Sequence, residues 1–182
     1  MVRGTPLPGF GGPAVGFDSP FEMLEACHER VQRTLALQKR LCEHLQTKGC
    51  DASAQSAARD VLRYFDIAAP LHHEDEELHV FPALQTIRDP QIQAAVARLH
   101  AEHGAMAQRW ALARQALLAL TEGEISDFST AQRKALAAFA YGHAEHIRME
   151  EGLVYPAARA AMGAVALQAM AEDMRRRRGA KT

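Results

Sequence analysis

His72-His73-Glu74-Asp75-Glu76-Glu77-Leu78-His79-Val80-Phe81-Pro82 is one of two copies of a single phrase, the other being His146-Ile147-Arg148-Met149-Glu150-Glu151-Gly152-Leu153-Val154-Tyr155-Pro156. In each copy a histidine is followed four residues later by a double glutamate and ten residues later by a proline. Two further histidines share the register, since His28 precedes His72 by 44 positions and His103 precedes His146 by 43. The chain therefore reads as a unit written twice: a histidine-bearing helix, then a His-x3-Glu helix. Residues four apart lie one turn above one another on a helix, so His72 with Glu76 and His146 with Glu150 each form a two-pronged ligand.

Working outward, residues 1–18 are rich in Gly and Pro and are expected to be a flexible lead-in, with the folded domain spanning 19–179. Ser19-Pro20-Phe21-Glu22 reads as a capping box with proline at the first helical position. A first helix then runs to about Gln46, and Lys48-Gly49-Cys50-Asp51 breaks it. A second runs from about Ser53 to Val80, where Pro82 is expected to end or sharply kink it. Asp89-Pro90 opens a third helix that reaches Leu120. Ser129-x-x-Gln132 opens a fourth that reaches about Val154, before Pro156. A shorter fifth covers roughly Ala164–Arg177. No segment alternates as a strand would. The predicted fold is all-α: an up-down-up-down four-helix bundle with a short C-terminal fifth helix, its halves related by a pseudo-twofold axis.

The chain of 182 residues fits one domain and can bury a substantial core. With 21 basic and 22 acidic residues its net charge is −1, which argues against nucleic acid or a membrane surface as partner. The opening residues lack the apolar run of a signal peptide and no stretch approaches a membrane span, so a cytoplasmic protein is expected. The three cysteines, Cys27, Cys42 and Cys50, form no CxxC pair and suit a reducing compartment. Nine histidines are many for this length, and most fall in the repeated phrases.

Helices packed 8–10 Å apart bring side chains from four helices to a common point on the axis. One histidine from each helix (His28, His72, His103, His146) and two carboxylates able to bridge (Glu76, Glu150) make a set for two cations with positions left open. Imidazole and carboxylate without thiolate suit iron or manganese, and zinc accepts them too. His73 with Glu77, also four apart, is the competing register. His72 with Glu76 is preferred because it alone aligns with His146 and Glu150, the position matching His73 being Ile147. A lone His-x3-Glu is more often a solvated face or a satisfied core residue; repetition in register favours metal.

On these motifs the chain resembles the hemerythrin-like family, the HHE cation-binding domains, over about residues 19–179. The resemblance implies a non-haem di-iron centre, oxo- or hydroxo-bridged, with His28, His72, His103 and His146 as terminal ligands and Glu76 and Glu150 as bridges. The oxygen-carrying branch differs: its third helix usually has two histidines four apart, where His100 and His103 here are three apart. Its last carboxylate is an aspartate five residues beyond its histidine, where Glu150 here is four beyond His146. The four-His, two-Glu set is more similar to the branch concerned with iron–sulfur repair and nitric oxide.

His100 and His143 each stand three residues before a proposed ligand and are candidates for an additional ligand or an outer partner. Tyr64, Tyr141, Tyr155 and Trp110 read as core aromatics or redox residues. Arg175–Arg178 reads as a solvated helix end complementing the macrodipole. The expected function is a di-iron protein, monomer or homodimer, that binds or consumes O2, NO or peroxide in stress defence or iron-centre repair. The alternative is a non-catalytic iron store or O2 sensor.

Overall fold

The structure is a computed structural model and describes residues 16–180. The expected lead-in, residues 1–18, lies for the most part outside the described residues. Among these the chain is all-α, without a strand. Five helical stretches follow one another: α1 (Pro20–Lys48), α2 (residues 52–83), α3 (Pro90–Thr121), α4 (residues 130–161) and α5 (Ala164–Arg177). α1 packs on α2, α2 on α3 and α3 on α4, while α5 lies against α1 and α2. No described helix is long and apolar enough to cross a membrane.

Local chemistry sets the starts. Asp51 accepts the Ala54 amide at 2.8 Å at the head of α2, and Asp89 accepts the Gln91 amide at 2.8 Å before Pro90 opens α3. The Ser129–Gln132 box forms in both directions at α4. The box expected at Ser19 does not form: its side chain makes no cap bond, and Glu22 reaches Arg159 at 2.8 Å instead. An ion pair between helices outcompetes the local cap. α4 is also not continuous, because Tyr141 leaves helical geometry and Gly142 takes φ +96°, a left-handed conformation that favours glycine. The helix then restarts at His143.

The prolines act differently from expectation. Pro70, Pro82 and Pro156 all lie inside continuous helix, each two residues after a widened turn: Tyr64–Ala68, Glu76–Val80 and Glu150–Val154. There the amides of Ala69, Phe81 and Tyr155 reach back five residues, to the carbonyls of Tyr64, Glu76 and Glu150. A proline in a regular turn lacks a donor and collides with the carbonyl four residues back; the wider turn moves that carbonyl aside. The helices therefore continue beyond the expected stops, α2 to Ala83 and α4 to Ala161. Both repeated glutamates begin such a turn.

Two apolar cores fill the molecule. One holds Val61, Phe65, Leu117, Leu120, Leu136 and Phe139; the other holds Leu24, Leu84, Leu99, Tyr155, Met170 and Met174. On every long helix the repeated histidines and glutamates fall between residues of the first core and residues of the second. His28 sits between Leu24 and Val31, and His72 and Glu76 sit between Phe65 and Val80. A fully buried Leu or Phe contributes roughly 1.5–3 kcal/mol, so each core clamps one end of a polar layer that has little cohesion of its own.

Candidate metal centre

Six side chains of that layer, His28, His72, Glu76, His103, His146 and Glu150, are almost wholly buried, and His73 lies against them. They form two groups of mutually close donor atoms: His28, His72, Glu76 and Glu150 in the first, and His73, His103 and His146 in the second. In the first, His28 Nε2 lies 3.1 Å from His72 Nε2 and 3.0 Å from Glu150 Oε2, and His72 Nε2 lies 3.7 Å from Glu76 Oε1. The other oxygen of each carboxylate faces the second group. His103 Nε2 is 3.4 Å from Glu76 Oε2 and 3.7 Å from Glu150 Oε1, and His146 Nε2 is 2.7 Å from Glu150 Oε1. Around a cation with bonds of about 2.0–2.1 Å, neighbouring donors sit about 2.9–3.4 Å apart, and the separations here, from 2.7 to 3.7 Å, bracket that range.

The outer nitrogens fix which way the lone pairs point. His28 Nδ1 is 2.8 Å from Glu151 Oε1, His103 Nδ1 is 2.8 Å from Glu77 Oε1, and His146 Nδ1 is 2.8 Å from Glu102 Oε2. An ionised carboxylate can only accept, so each Nδ1 donates, and in the neutral ring Nε2 carries a lone pair aimed inward. His103 Nε2, His146 Nε2, Glu76 Oε2 and both Glu150 oxygens are buried without a well-formed hydrogen bond, close to one another yet not aligned as donor and acceptor. Buried polar atoms left so are costly unless something else meets them, and a cation shared by inward lone pairs is that partner.

Electrostatics agree that the layer is built around positive charge. Burial would lower His103, but bonds to Glu150, Glu76 and Glu77 outweigh it and push it up to about 10. Burial, followed by the neighbouring Glu150 charge, pushes Glu76 up to about 7. Glu150 is held well below the usual carboxylate range: burial opposes this, and His103, His146 and His28 overcome it. His72 and His73 are driven down, first by burial and then by the adjacent imidazoles.

The competing registers of the sequence turn out to be complementary. His72 joins the first group while His73 joins the second, its ring stacked on that of His103 at 3.9 Å. Consecutive residues on a helix diverge by about 100°, and here they straddle the two groups. The six expected residues are all brought together, and His73 is brought beside them, so that two imidazoles face three. Glu77 does not share in either group; it orients His103. His100 is exposed, its nearest ring contact being Phe81 at 6.5 Å, so it supplies no donor. His143 is buried between Phe65 and Phe139 and stays outside both groups. Burial pushes it down to about 4. Cys27 is buried next to His28 and joins neither group.

Two placements were not read from the sequence. The first is that of Tyr155, singled out there only as a core or redox aromatic, whose hydroxyl lies 3.2 Å from His28 Nε2 and donates to Glu76 Oε1 at 2.5 Å. Burial and the two carboxylates push this phenol up. Its place against Phe81 in the repeat was the available signal. The second is that of Asp75, fully buried and paired with Arg177 and Arg178, the latter at 2.5 Å. Arg176 is solvated as expected, but Arg177 and Arg178 are not: they fasten the end of α5 to the residue preceding Glu76.

A largely apolar cavity of about 160 Å³ adjoins the layer. It runs from exposed Pro70 and Ala107 past Val31, Phe65 and Trp110 to His72 and His73, with His143 in its wall.

Buried imidazoles and shared carboxylates on a helical frame define a cation-binding domain, and residues 19–177 match the family model described as Hemerythrin HHE cation binding domain. The chain belongs to that family. It is also 32% identical over 165 residues to a Haemophilus influenzae (strain ATCC 51907 / DSM 11121 / KW20 / Rd) protein described as uncharacterized, a match covering 91% of this chain and 93% of that one.

Proposed function

We propose that this chain holds two non-haem iron ions in an up-down-up-down bundle closed by α5, and that the pair binds or reacts with a small molecule: dioxygen, nitric oxide or peroxide. The observation that carries the reading is that Glu76 and Glu150 each turn one oxygen toward each imidazole group. That arrangement serves two cations and is wasted on one. Imidazole and carboxylate without thiolate suit iron, and the same atoms accept manganese or zinc. A bound iron pair supplies two-electron chemistry toward a small oxidant or nitrogen oxide.

The residues of the chain do the rest. Glu151, Glu77 and Glu102 hold three rings in the tautomer that presents Nε2 inward. The apolar cores on either side exclude bulk water, and the cavity reaching His72 and His73 admits a molecule of few atoms and little charge. All donors come from one chain, so a monomer suffices. The free cysteines suit a reducing compartment, in keeping with a role in oxidative or nitrosative stress defence or iron-centre repair.

The test is an anaerobic titration of metal-free protein with Fe(II), followed by air and an absorption spectrum. A break at about two irons per chain with near-ultraviolet bands of a bridged ferric pair is expected. A break at one, or none, removes the reading.

A further inference from the structure

The repeat places Phe81 and Tyr155 in equivalent positions, ahead of Pro82 and Pro156. Both rings lie flat against a histidine of the polar layer, Phe81 against His103 at 5.6 Å and Tyr155 against His28 at 5.5 Å. The first donor group has two imidazoles where the second has three, and only the first carries a hydroxyl on its stacked ring. We infer that Tyr155 Oη is a direct ligand to the iron held by His28, His72, Glu76 and Glu150, an inference that rests on the di-iron reading above.

The geometry leaves the hydroxyl few other partners. Tyr155 is 1% exposed, out of reach of bulk solvent. Its two contacts are Glu76 Oε1 at 2.5 Å and His28 Nε2 at 3.2 Å, both of them atoms of the first donor group. A cation there takes the His28 Nε2 lone pair outright and draws on Glu76 Oε1. The oxygen already stands 3.2 Å from His28 Nε2, a polyhedron-edge distance, while its 2.5 Å hydrogen bond to Glu76 Oε1 opens as the proton leaves. As the O–Fe bond forms, the O–H bond breaks and its proton is released to solvent; no electron is transferred in this step. A phenolate is a hard, anionic oxygen donor that favours the ferric state, so the first iron position is biased toward oxidation rather than reversible carriage.

The experiment loads wild-type protein and Tyr155→Phe with Fe(II), oxidises both in air, and records iron content, visible absorption and resonance Raman spectra on the same samples. Phenylalanine is the residue the fold already uses at the equivalent position, so Tyr155→Phe is expected to fold. Wild type should show a phenolate-to-ferric band with enhanced tyrosine ring modes, and Tyr155→Phe should bind two irons without either. The double variant Tyr64→Phe/Tyr141→Phe leaves Tyr155 as the sole tyrosine of three and should keep the band, which assigns it without disturbing the site. Two irons in wild type with no band, or a band that survives Tyr155→Phe or disappears in the double variant, overturns the inference alone. Fewer than two irons in wild type overturns it together with the di-iron reading.

Discussion

The two halves of the polar layer are built from one phrase and do not end up alike. His28 answers His103, His72 answers His146, Glu76 answers Glu150 and Glu77 answers Glu151, each pair 74 or 75 positions apart. Against this frame the departures are few. His73 faces Ile147, and it gives the second group its third imidazole. Glu102, directly before His103, holds His146 Nδ1; the residue directly before His28 is Cys27, and His72 Nδ1 is left without a partner. Asp75, anchored by Arg177 and Arg178, has Met149 as its counterpart. A duplicated scaffold thus carries one position rich in imidazole with every outer nitrogen held, or stacked in the case of His73, and another with fewer imidazoles, an orphaned outer nitrogen and a tyrosine. Two chemically different donor groups follow from a handful of side chains.

What the halves share should be the most damaging to remove. Glu76→Ala and Glu150→Ala each delete an oxygen from both groups at once, so either variant is expected to lose the metal pair, falling from about two irons per chain to less than one. His44→Ala, at a ring that bonds Asp51 near the end of α1, should keep two. Iron content measured by chemical assay after desalting decides it, and equal loading in all three variants would dismiss the shared-carboxylate arrangement.

Next in size is the anchor that only the first half has. Asp75→Ala removes the buried carboxylate from two largely buried guanidinium groups, of which Arg177 keeps Asp173 and Glu74 and Arg178 keeps the Met174 carbonyl, so the loss should fall at or below the low end of the roughly 3–5 kcal/mol that breaking a buried pair from one side costs. Thermal or urea unfolding of the metal-free protein should show that loss. Hydrogen exchange should show α5 opening before the other helices, because Met170 and Met174 lose the clamp beyond them. Unchanged stability would mean that the apolar face of α5 alone fixes it.

His73→Ile makes the first copy of the phrase read like the second and so erases the largest chemical difference between the halves. The second group drops to two imidazoles. Losing even an outer partner of a ligand costs roughly 10–100-fold in affinity, and a direct ligand should cost at least that much at one of the two irons. Calorimetric or competition titration should resolve one tight and one weakened event. Two unchanged events would mean that the stacked His73 ring is a lid on His103 and not a ligand.

The legibility of the sequence divides along the same line. The repeated spacings foretold an all-α chain and picked out the residues that meet in the polar layer, because a period of four on a helix is a local fact. The departures are not local. That His73 reaches the second group depends on the orientation of α2 about its own axis. That Pro82 and Pro156 pass without ending their helices depends on a widened turn two residues upstream. That Arg177 and Arg178 are interior depends on where α5 docks. The first and the last were decided by packing between elements, and the widened turn by a backbone choice that the residue pattern of a regular helix does not display.

The smallest expected effect tests the outer ring, where the halves differ by Glu102 against Cys27. Glu102 fixes His146 by accepting from Nδ1 at 2.8 Å, while Arg98 holds the same carboxylate at 2.7 Å from the other side. Its pKa is lowered: burial would raise it, but the bonds from His146 and Arg98 prevail, so it stays ionised and acceptor-only. Removing it in Glu102→Ala frees the His146 ring to rotate and to take the other tautomer, which hides the Nε2 lone pair behind a proton. The expected result is a 10–100-fold weaker second iron with little change in the first. Cys27→Ala removes a side chain that orients no ligand, and both affinities should stay within a factor of a few. If the two variants weaken iron binding equally, the outer carboxylates are spectators and the asymmetry between the halves resides in His73 and Tyr155 alone.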